Sequence, residues 1–506
     1  MVWSVSKLRK LAGLLVCAAL VSVTGALAAT GADARYPGLR SPYPPIAIEH
    51  VNVWPMTADN VLEKDMTVLI RNGRIEKLAP RGGLALPHGI KVVDGRGKWL
   101  MPALTDMHAH QEDARLMRLL TGDNEITAAR YNSADLLLPF VANGVLQILN
   151  PGAMAEQIGL RDEVEAGLVL GPHLELSALV DGSPPIWPPG LSYVAVTPED
   201  GRQVVRDAKA AGYDFIKTYS KLDFDTFTAI VDEARKQGMR VIGHIPGRGL
   251  GETARWFQPG YEMVMHAEEY AYQTKDPDHW VDNIPAYVSL AKRTGVLLCS
   301  TLTVDQRILE QMRDPTTLKT RAEMRYVNPA TRFTWMTHSP YAHASPERVA
   351  RVAKVVDFNN RLVKAFADAG LTVYPGTDTT VPGLVAGFAL HDELEALQAA
   401  GLTPRQILTA DTRLAAAFLH VNADRGTVAA GKRADLLLLG ADPMTNVRNT
   451  RDIVAVMASG RYLPRRELDK MMTDLAHRYA AMPPLSVSGA SSGRSGGGGH
   501  FLDDGE

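Results

Sequence analysis

The sequence is nearly without cysteine: Cys17 and Cys299 are the only two in 506 residues. Cys17 sits in an N-terminal apolar run expected to be removed, which leaves Cys299 alone. A single cysteine permits no intramolecular disulfide and no cysteine-built zinc cluster. Stability must then come from a packed core, and any metal must be held by histidine or carboxylate side chains. Cys299 is expected to be a buried residue with no catalytic role. An excess of one charge sign is missing too. The formal net charge is -2, and no basic patch with interleaved aromatics occurs, so neither nucleic acid nor an anionic membrane is favoured as a partner. At 46% hydrophobic and 22% charged residues, the composition is that of an ordinary globular protein. The length allows a large barrel plus a smaller unit.

Lys7, Arg9 and Lys10 precede an apolar run from Leu11 to about Leu27, followed by the small-residue site Ala26-Leu27-Ala28. This layout predicts a cleavable signal peptide over residues 1–28, a periplasmic or secreted product, and no stable membrane anchor after cleavage. Val16 before Cys17 argues against a lipoprotein site. Residues 29–45, Pro-rich from Tyr36, read as linker. Short β-like runs then follow over 46–100, and further ones near the other end over 421–465, including 424–428. They predict a small β-sandwich assembled from both ends of the chain. Residues 466–485 read as a helix, and the Gly- and Ser-rich 486–506 as disordered.

Between these pieces, residues 101–420 alternate apolar runs with helical stretches. The runs are 103–107, 144–149, 174–177, 215–219, 241–244, 263–266, 296–299 and 371–374, separated by stretches such as Phe224 to Gln237 and Ser345 to Ala369. Eight such repeats predict an α/β fold, a TIM-like (β/α)8 barrel. The charged region 273–340 reads as a lid or insertion around the seventh strand.

Candidate chemistry collects at the ends of those runs. His108 and His110 follow the first; residues two apart in an extended segment face one side, so both imidazoles can point to one spot. His244 ends the fifth run, His266 the sixth, and Asp378 follows the eighth. Strand ends of one polarity form the mouth of such a barrel, where its active sites lie. Four imidazoles and a carboxylate suit a borderline metal such as zinc. Lys217 lies within the fourth run, where an unpaired ammonium is costly to bury. Two readings fit it: a head that snorkels out or pairs with Asp214, or carbamylation by CO₂ into a bridging carboxylate.

These residues, with Ile216-Lys217-Thr218-Tyr219, Gly243-His244-Ile245-Pro246, His266-Ala267-Glu268-Glu269, His391-Asp392-Glu393-Leu394 and Gly431-Lys432-Arg433-Ala434-Asp435-Leu436, resemble the amidohydrolase superfamily in its two-metal form. The similarity is to the imidazolonepropionase-related branch with its metal-dependent prolidases and ochratoxin-type amidases, and covers about Val51 to Tyr462. The resemblance implies that His108, His110 and Asp378 hold one divalent metal and His244 and His266 a second. Carbamylated Lys217 and a hydroxide would lie between them. Asp378 would act as general base and then acid. Tyr219, on the same strand face as Lys217, would hydrogen-bond the oxyanion or serve only as a packed barrel tyrosine. The sequence departs from the family at 410–415, in a helix placed away from the metals. Segment 181–190, with Trp187 among prolines, reads as an apolar wall for substrate or a plain loop.

The expected activity is hydrolysis of an amide or peptide C–N bond in a small molecule, a dipeptide or an N-acyl amino acid. A mononuclear deaminase or cyclic-amidine hydrolase of the same fold lacks a bridging lysine, so Lys217 weighs against it. A lactonase or phosphotriesterase shares the two-metal site. An exported binding protein would keep the barrel without turnover. Substrate, metal identity and homo-oligomerisation are left open by sequence.

Overall fold

Strand β1 (Ile46–Val53) pairs antiparallel with β2 (Glu63–Arg71), which turns into β3 (Arg74–Pro80). The turn is Asn72-Gly73, with φ of 51° and 76°, the positive values a two-residue hairpin of this twist requires. Sequence patterning misses β3 because its mostly solvated Arg-Ile-Glu-Lys-Leu-Ala-Pro lies at the sheet edge, where apolar alternation is weak. Strands β4 (Lys91–Asp94) and β5 (Trp99–Pro102) run parallel to β1. The computed structural model describes residues 43–121, 130–187, 190–337 and 339–484. The expected signal peptide, most of the lead-in and the Gly-rich tail lie outside the described residues.

Past β5 the chain enters a second sheet through β6 (Leu104–Asp106), β7 (Val145–Asn150) and β8 (His173–Asp181), beside which lies the short β9 (Tyr193–Val194). It continues through β10 (Phe215–Thr218), β11 (Arg240–Gly243), β12 (Tyr261–Met265), β13 (Leu297–Cys299) and β14 (Val373–Tyr374). Apart from β9, each strand pairs in parallel with the next in chain order. A parallel bridge between Ala109 and Thr379 brings the segment after β14 against the segment after β6. The result is a mixed α/β fold whose parallel sheet curls in the manner of a TIM-like barrel. All eight strands fall on the apolar runs read from sequence. Their near-continuous burial, complete along β7 and β10, follows from helices covering one face and side chains filling the other.

Helix boundaries follow local chemistry. Thr197 caps helix Pro198–Ala211 in a capping box with Asp200, and Gly212 at φ 97° ends it. Asp223 and Ser345 cap Phe224–Lys236 and Pro346–Asp368. Each cap satisfies a main-chain N–H that the first helical turn leaves open. Segment 273–340 is not one insertion. The regular β/α alternation runs through it as helix Ile284–Thr294, β13 and helix Leu302–Arg313, and only the short helices up to Thr337 are additional. Most of its charges are exposed, while Asp305 is buried and Arg307 and Arg321 are part-buried in ion pairs with Asp392.

From the far end, β15 (Leu436–Leu439), β16 (Ile453–Ala458) and β17 (Arg461–Pro464) return to the first sheet, β15 pairing with β5. Both ends of the chain therefore build one sheet of eight strands. Leu436 and Leu438 pack into that sheet's own core, whereas Leu437 and Leu439 join the barrel's, the alternation of a strand with two buried faces. Residues 424–428, expected as strand and turn, hold turn and bend over 424–427 and no strand. Helix Arg465–Ala481 closes the described chain.

Candidate metal centre

The end of β6 is tied to the end of β14 by one carboxylate. Asp106 Oδ1 accepts from the backbone N–H groups of His108 and Thr377, both at 3.1 Å, and its Oδ2 from Thr377 Oγ1 at 2.7 Å. Gly376 makes this approach possible: a Cβ there would stand 2.5 Å from Cys299 Sγ and 2.7 Å from His108 Cβ. Asp378 is thereby set against the two histidines that follow β6. Its Oδ1 lies 3.2 Å from His108 Nε2 and 3.0 Å from His110 Nε2. One donor atom from each of these three residues falls within 4.8 Å of the others, a spacing that can hold a metal ion.

The remaining expected ligands surround this trio. Lys217 Nζ, on β10, is 3.5 Å from His108 Nε2. The His266 ring, just past β12, is centred 4.4 Å from that of His108 and 5.0 Å from that of His244. Lys217, His244, His266 and His108 are all buried. The structure thus brings together His108, His110, Lys217, His244, His266 and Asp378. His266 and Asp378 both adopt positive φ, 79° and 54°, a strained choice for residues with a Cβ that is typical of functional sites.

Burial sets the protonation states. It holds His108 and His266 well below the usual imidazole range and His244 at about 4, so all three are neutral and able to coordinate. Burial also lowers the Lys217 ammonium to about 8, which brings the neutral amine within reach of physiological pH. Neutral imidazoles, a carboxylate and a deprotonatable lysine form a donor set that fits divalent metal.

Hydrogen bonds orient the imidazoles. His244 Nδ1 is 2.9 Å from Glu269 Oε1 and 3.1 Å from Ser220 Oγ. Glu269 also pairs with Arg248. Although burial pushes the Glu269 carboxyl up, Arg248 and His244 outweigh it and hold the group at about 2. His266 Nδ1 is 2.9 Å from Thr301 Oγ1. Thr301 immediately precedes helix Leu302–Arg313, whose first N–H groups at Leu302 and Thr303 donate to Glu393 at 2.9 and 2.8 Å. Sequence reasoning missed these supports. For Glu269 the signal was its place in His266-Ala267-Glu268-Glu269; for Asp106 it was a carboxylate two residues ahead of His108.

Tyr219 packs over the centre. Its ring is 4.0 Å from that of His244, and Lys217 Nζ is 5.5 Å from the ring centroid. Burial raises its hydroxyl well above the ordinary phenol value, and Trp187 hydrogen-bonds to it. The 181–187 loop thus reaches the mouth with Trp187 against Tyr219, pinned by Asp181 accepting from the N–H groups of Gly182, Ile186 and Lys221. The divergent stretch Ala410–Leu414 is a π-helical turn, its buried Asp411 Oδ2 accepting from Thr105 N at 3.4 Å.

Solved structures share this fold. A candidate prolidase from Bifidobacterium longum is similar at 25% identity and TM-score 0.60, covering 85% of this chain and 98% of its own. A bottromycin amidohydrolase matches at 22% identity and TM-score 0.67, covering 87% and 91%. The ochratoxinase of A. niger matches at 18% identity and TM-score 0.59, covering 83% and 95%. A search of curated proteins finds no match. The model of the amidohydrolase family matches residues 99–463, most of the chain including both halves of the metal centre, and the chain therefore belongs to the amidohydrolase family.

Proposed function

We propose that this protein hydrolyses an amide or peptide C–N bond in a small substrate, a dipeptide or N-acyl amino acid, as an exported enzyme with two divalent metals, zinc foremost. The observation that carries this reading is the burial of Lys217 beside His108 within a ring of neutral imidazoles. Burial costs an ammonium there more than Asp378 returns to it, whereas a lysine carboxylated by CO₂ becomes a second anionic donor beside Asp378. The names of the similar folds, prolidase and amidohydrolase among them, agree with C–N chemistry.

His108, His110 and Asp378 would hold one ion, His244 and His266 the other, with carbamylated Lys217 shared. Bound metal would polarise the scissile carbonyl and lower the pKa of water. Asp378, 9% exposed at its side chain, would take a proton from water and hand it to the leaving nitrogen. Tyr219, kept protonated by its burial, donates a hydrogen bond to the oxygen that gains charge as the carbonyl is attacked. Trp187, against the Tyr219 ring at 6.4 Å, would wall this side of the mouth.

The test is elemental analysis of the purified protein together with hydrolysis of a panel of dipeptides and N-acyl amino acids. Near two metals per chain and turnover of one of these classes is expected. One metal per chain, with turnover of amidines or aminopurines instead, would overturn the reading in favour of a mononuclear deaminase.

A further inference from the structure

One buried carboxylate ties together the two segments that carry Trp187 and Tyr219. Asp181, the last residue of β8, accepts from the Gly182 and Lys221 N–H groups on Oδ1 at 2.9 and 2.8 Å. Its Oδ2 accepts from Ile186 N at 2.9 Å. Ile186 precedes Trp187, and Lys221 lies two residues past Tyr219. Gly182 lets the segments close up, since a Cβ there would run into the Lys221 carbonyl. The far arm of the loop is tied down as well. Ser192 Oγ donates to the Trp187 main-chain oxygen at 3.4 Å, and Ala195 N to Asp181 O at 2.9 Å.

With both backbones held, the side chains meet. The Trp187 and Tyr219 rings are centred 6.4 Å apart with their planes at 58°, and Trp187 hydrogen-bonds to the Tyr219 hydroxyl. An indole nitrogen can only donate, whereas a phenol oxygen can accept and donate at once. The Tyr219 oxygen is therefore the acceptor here, and its own proton is directed away from Trp187. A hydroxyl that accepts while it donates is also the stronger donor, because hydrogen bonds in a chain polarise one another. On the ring itself, packing 4.0 Å from the His244 imidazole limits any turn.

We infer that Trp187 is a positioning residue: its indole N–H holds the Tyr219 oxygen and turns the hydroxyl proton to the substrate oxygen that gains charge during attack. The inference rests on the amide-hydrolysis reading and on Tyr219 as its oxyanion donor. It adds to the wall a role in the rate: a wall needs only the ring of Trp187, and this role needs its N–H.

The experiment compares Trp187→Phe, Tyr219→Phe and the double variant, all metal-loaded, on the fastest substrate of a panel that includes Leu-Pro and N-acetyl-leucine. Trp187→Phe keeps an aromatic wall and removes the N–H. It is expected to lower kcat by about five- to tenfold, the scale of one hydrogen bond, with KM little changed. In the Tyr219→Phe background the same change should alter kcat by less than about twofold, since the two residues act as one unit. Equal losses in both backgrounds, or a raised KM at unchanged kcat, would overturn the inference and leave the hydrolase reading standing. Nitrogen-15 NMR of the indole N–H groups gives a readout without turnover. The Trp187 signal, identified among seven tryptophans by its loss in Trp187→Phe, should move upfield in Tyr219→Phe as its acceptor disappears. A signal that stays in place removes the hydrogen bond and the inference with it, whatever the activity. No turnover of any panel member by wild type sinks the hydrolase reading and the positioning role together.

Discussion

Lys217 Nζ stands 3.5 Å from His108 Nε2, and both side chains are buried. Two nitrogen bases this close repel if both are protonated, and burial depresses both. The neutral amine can add to CO₂, forming an N–C bond and releasing one proton, to leave a carboxylate at the head of Lys217. Lys217→Ala is expected to lose metal and at least about a hundredfold in kcat/KM. Short carboxylates such as acetate or propionate should restore part of the activity. Full metal content and activity in the variant, measured by elemental analysis and rate, would sink the carbamate assignment.

Tyr219 tests transition-state stabilisation separately from metal binding. Tyr219→Phe keeps the ring against His244 and removes only the hydroxyl. The expected result is kcat lower by about a hundredfold, with metal content retained and KM little changed, since a lost oxyanion donor acts mainly on the transition state. Unaltered kcat would reduce Tyr219 to a packing residue.

Gly376 tests how tightly β14 must press on β6. In Gly376→Ala the new methyl meets Cys299 Sγ and His108 Cβ well inside contact distance. Overpacking of this kind costs about 1–3 kcal/mol, read as a lower melting temperature, and the displacement of His108 should weaken metal retention against a chelator. A variant with wild-type melting and metal affinity would show that the approach has slack.

His391 lies away from the metals, its Nδ1 2.8 Å from Thr450 Oγ1 and its Nε2 3.0 Å from Asn143 O. Burial, helped by Arg451, lowers it to about 4. Between about 4 and the ordinary imidazole value of about 6.5, the unfolded chain binds the proton and the folded chain does not. Stability therefore rises with pH across that window and falls on acidification. Denaturant melts of the metal-loaded protein between pH 4 and 7 should show wild type losing more than His391→Gln, by at most roughly 3 kcal/mol at one pKa unit per 1.4 kcal/mol. Parallel pH profiles would exclude this residue as a source of acid sensitivity.

The barrel strands were legible because burial on both faces demands continuous apolar runs, and eight of them recur at β/α spacing. The ligand candidates were legible for a related reason: His108, His110, His244, His266 and Asp378 each follow such a run, so strand polarity alone assigns them to one end. The edge strand β3 was not, since half-solvated residues carry little periodicity. The run of charge at 273–340 misled, because exposed helix faces and insertions have the same composition.

The sequence by itself determined the chemistry available: histidines and a carboxylate at strand ends, one lysine inside an apolar strand, and too few cysteines to build a zinc cluster. Only the tertiary structure decided which atoms meet. Asp106 bonding to Thr377 across 271 positions, Gly376 admitting His108, and Glu269 and Thr301 holding the two imidazoles in orientation are contacts between different strand ends. Spacing along the chain carries no record of them, because closing the sheet sets those distances. The same holds for Glu112, which meets Thr331 from a distant helix. A carboxylate's partner depends on packing, and packing is a property of the folded chain.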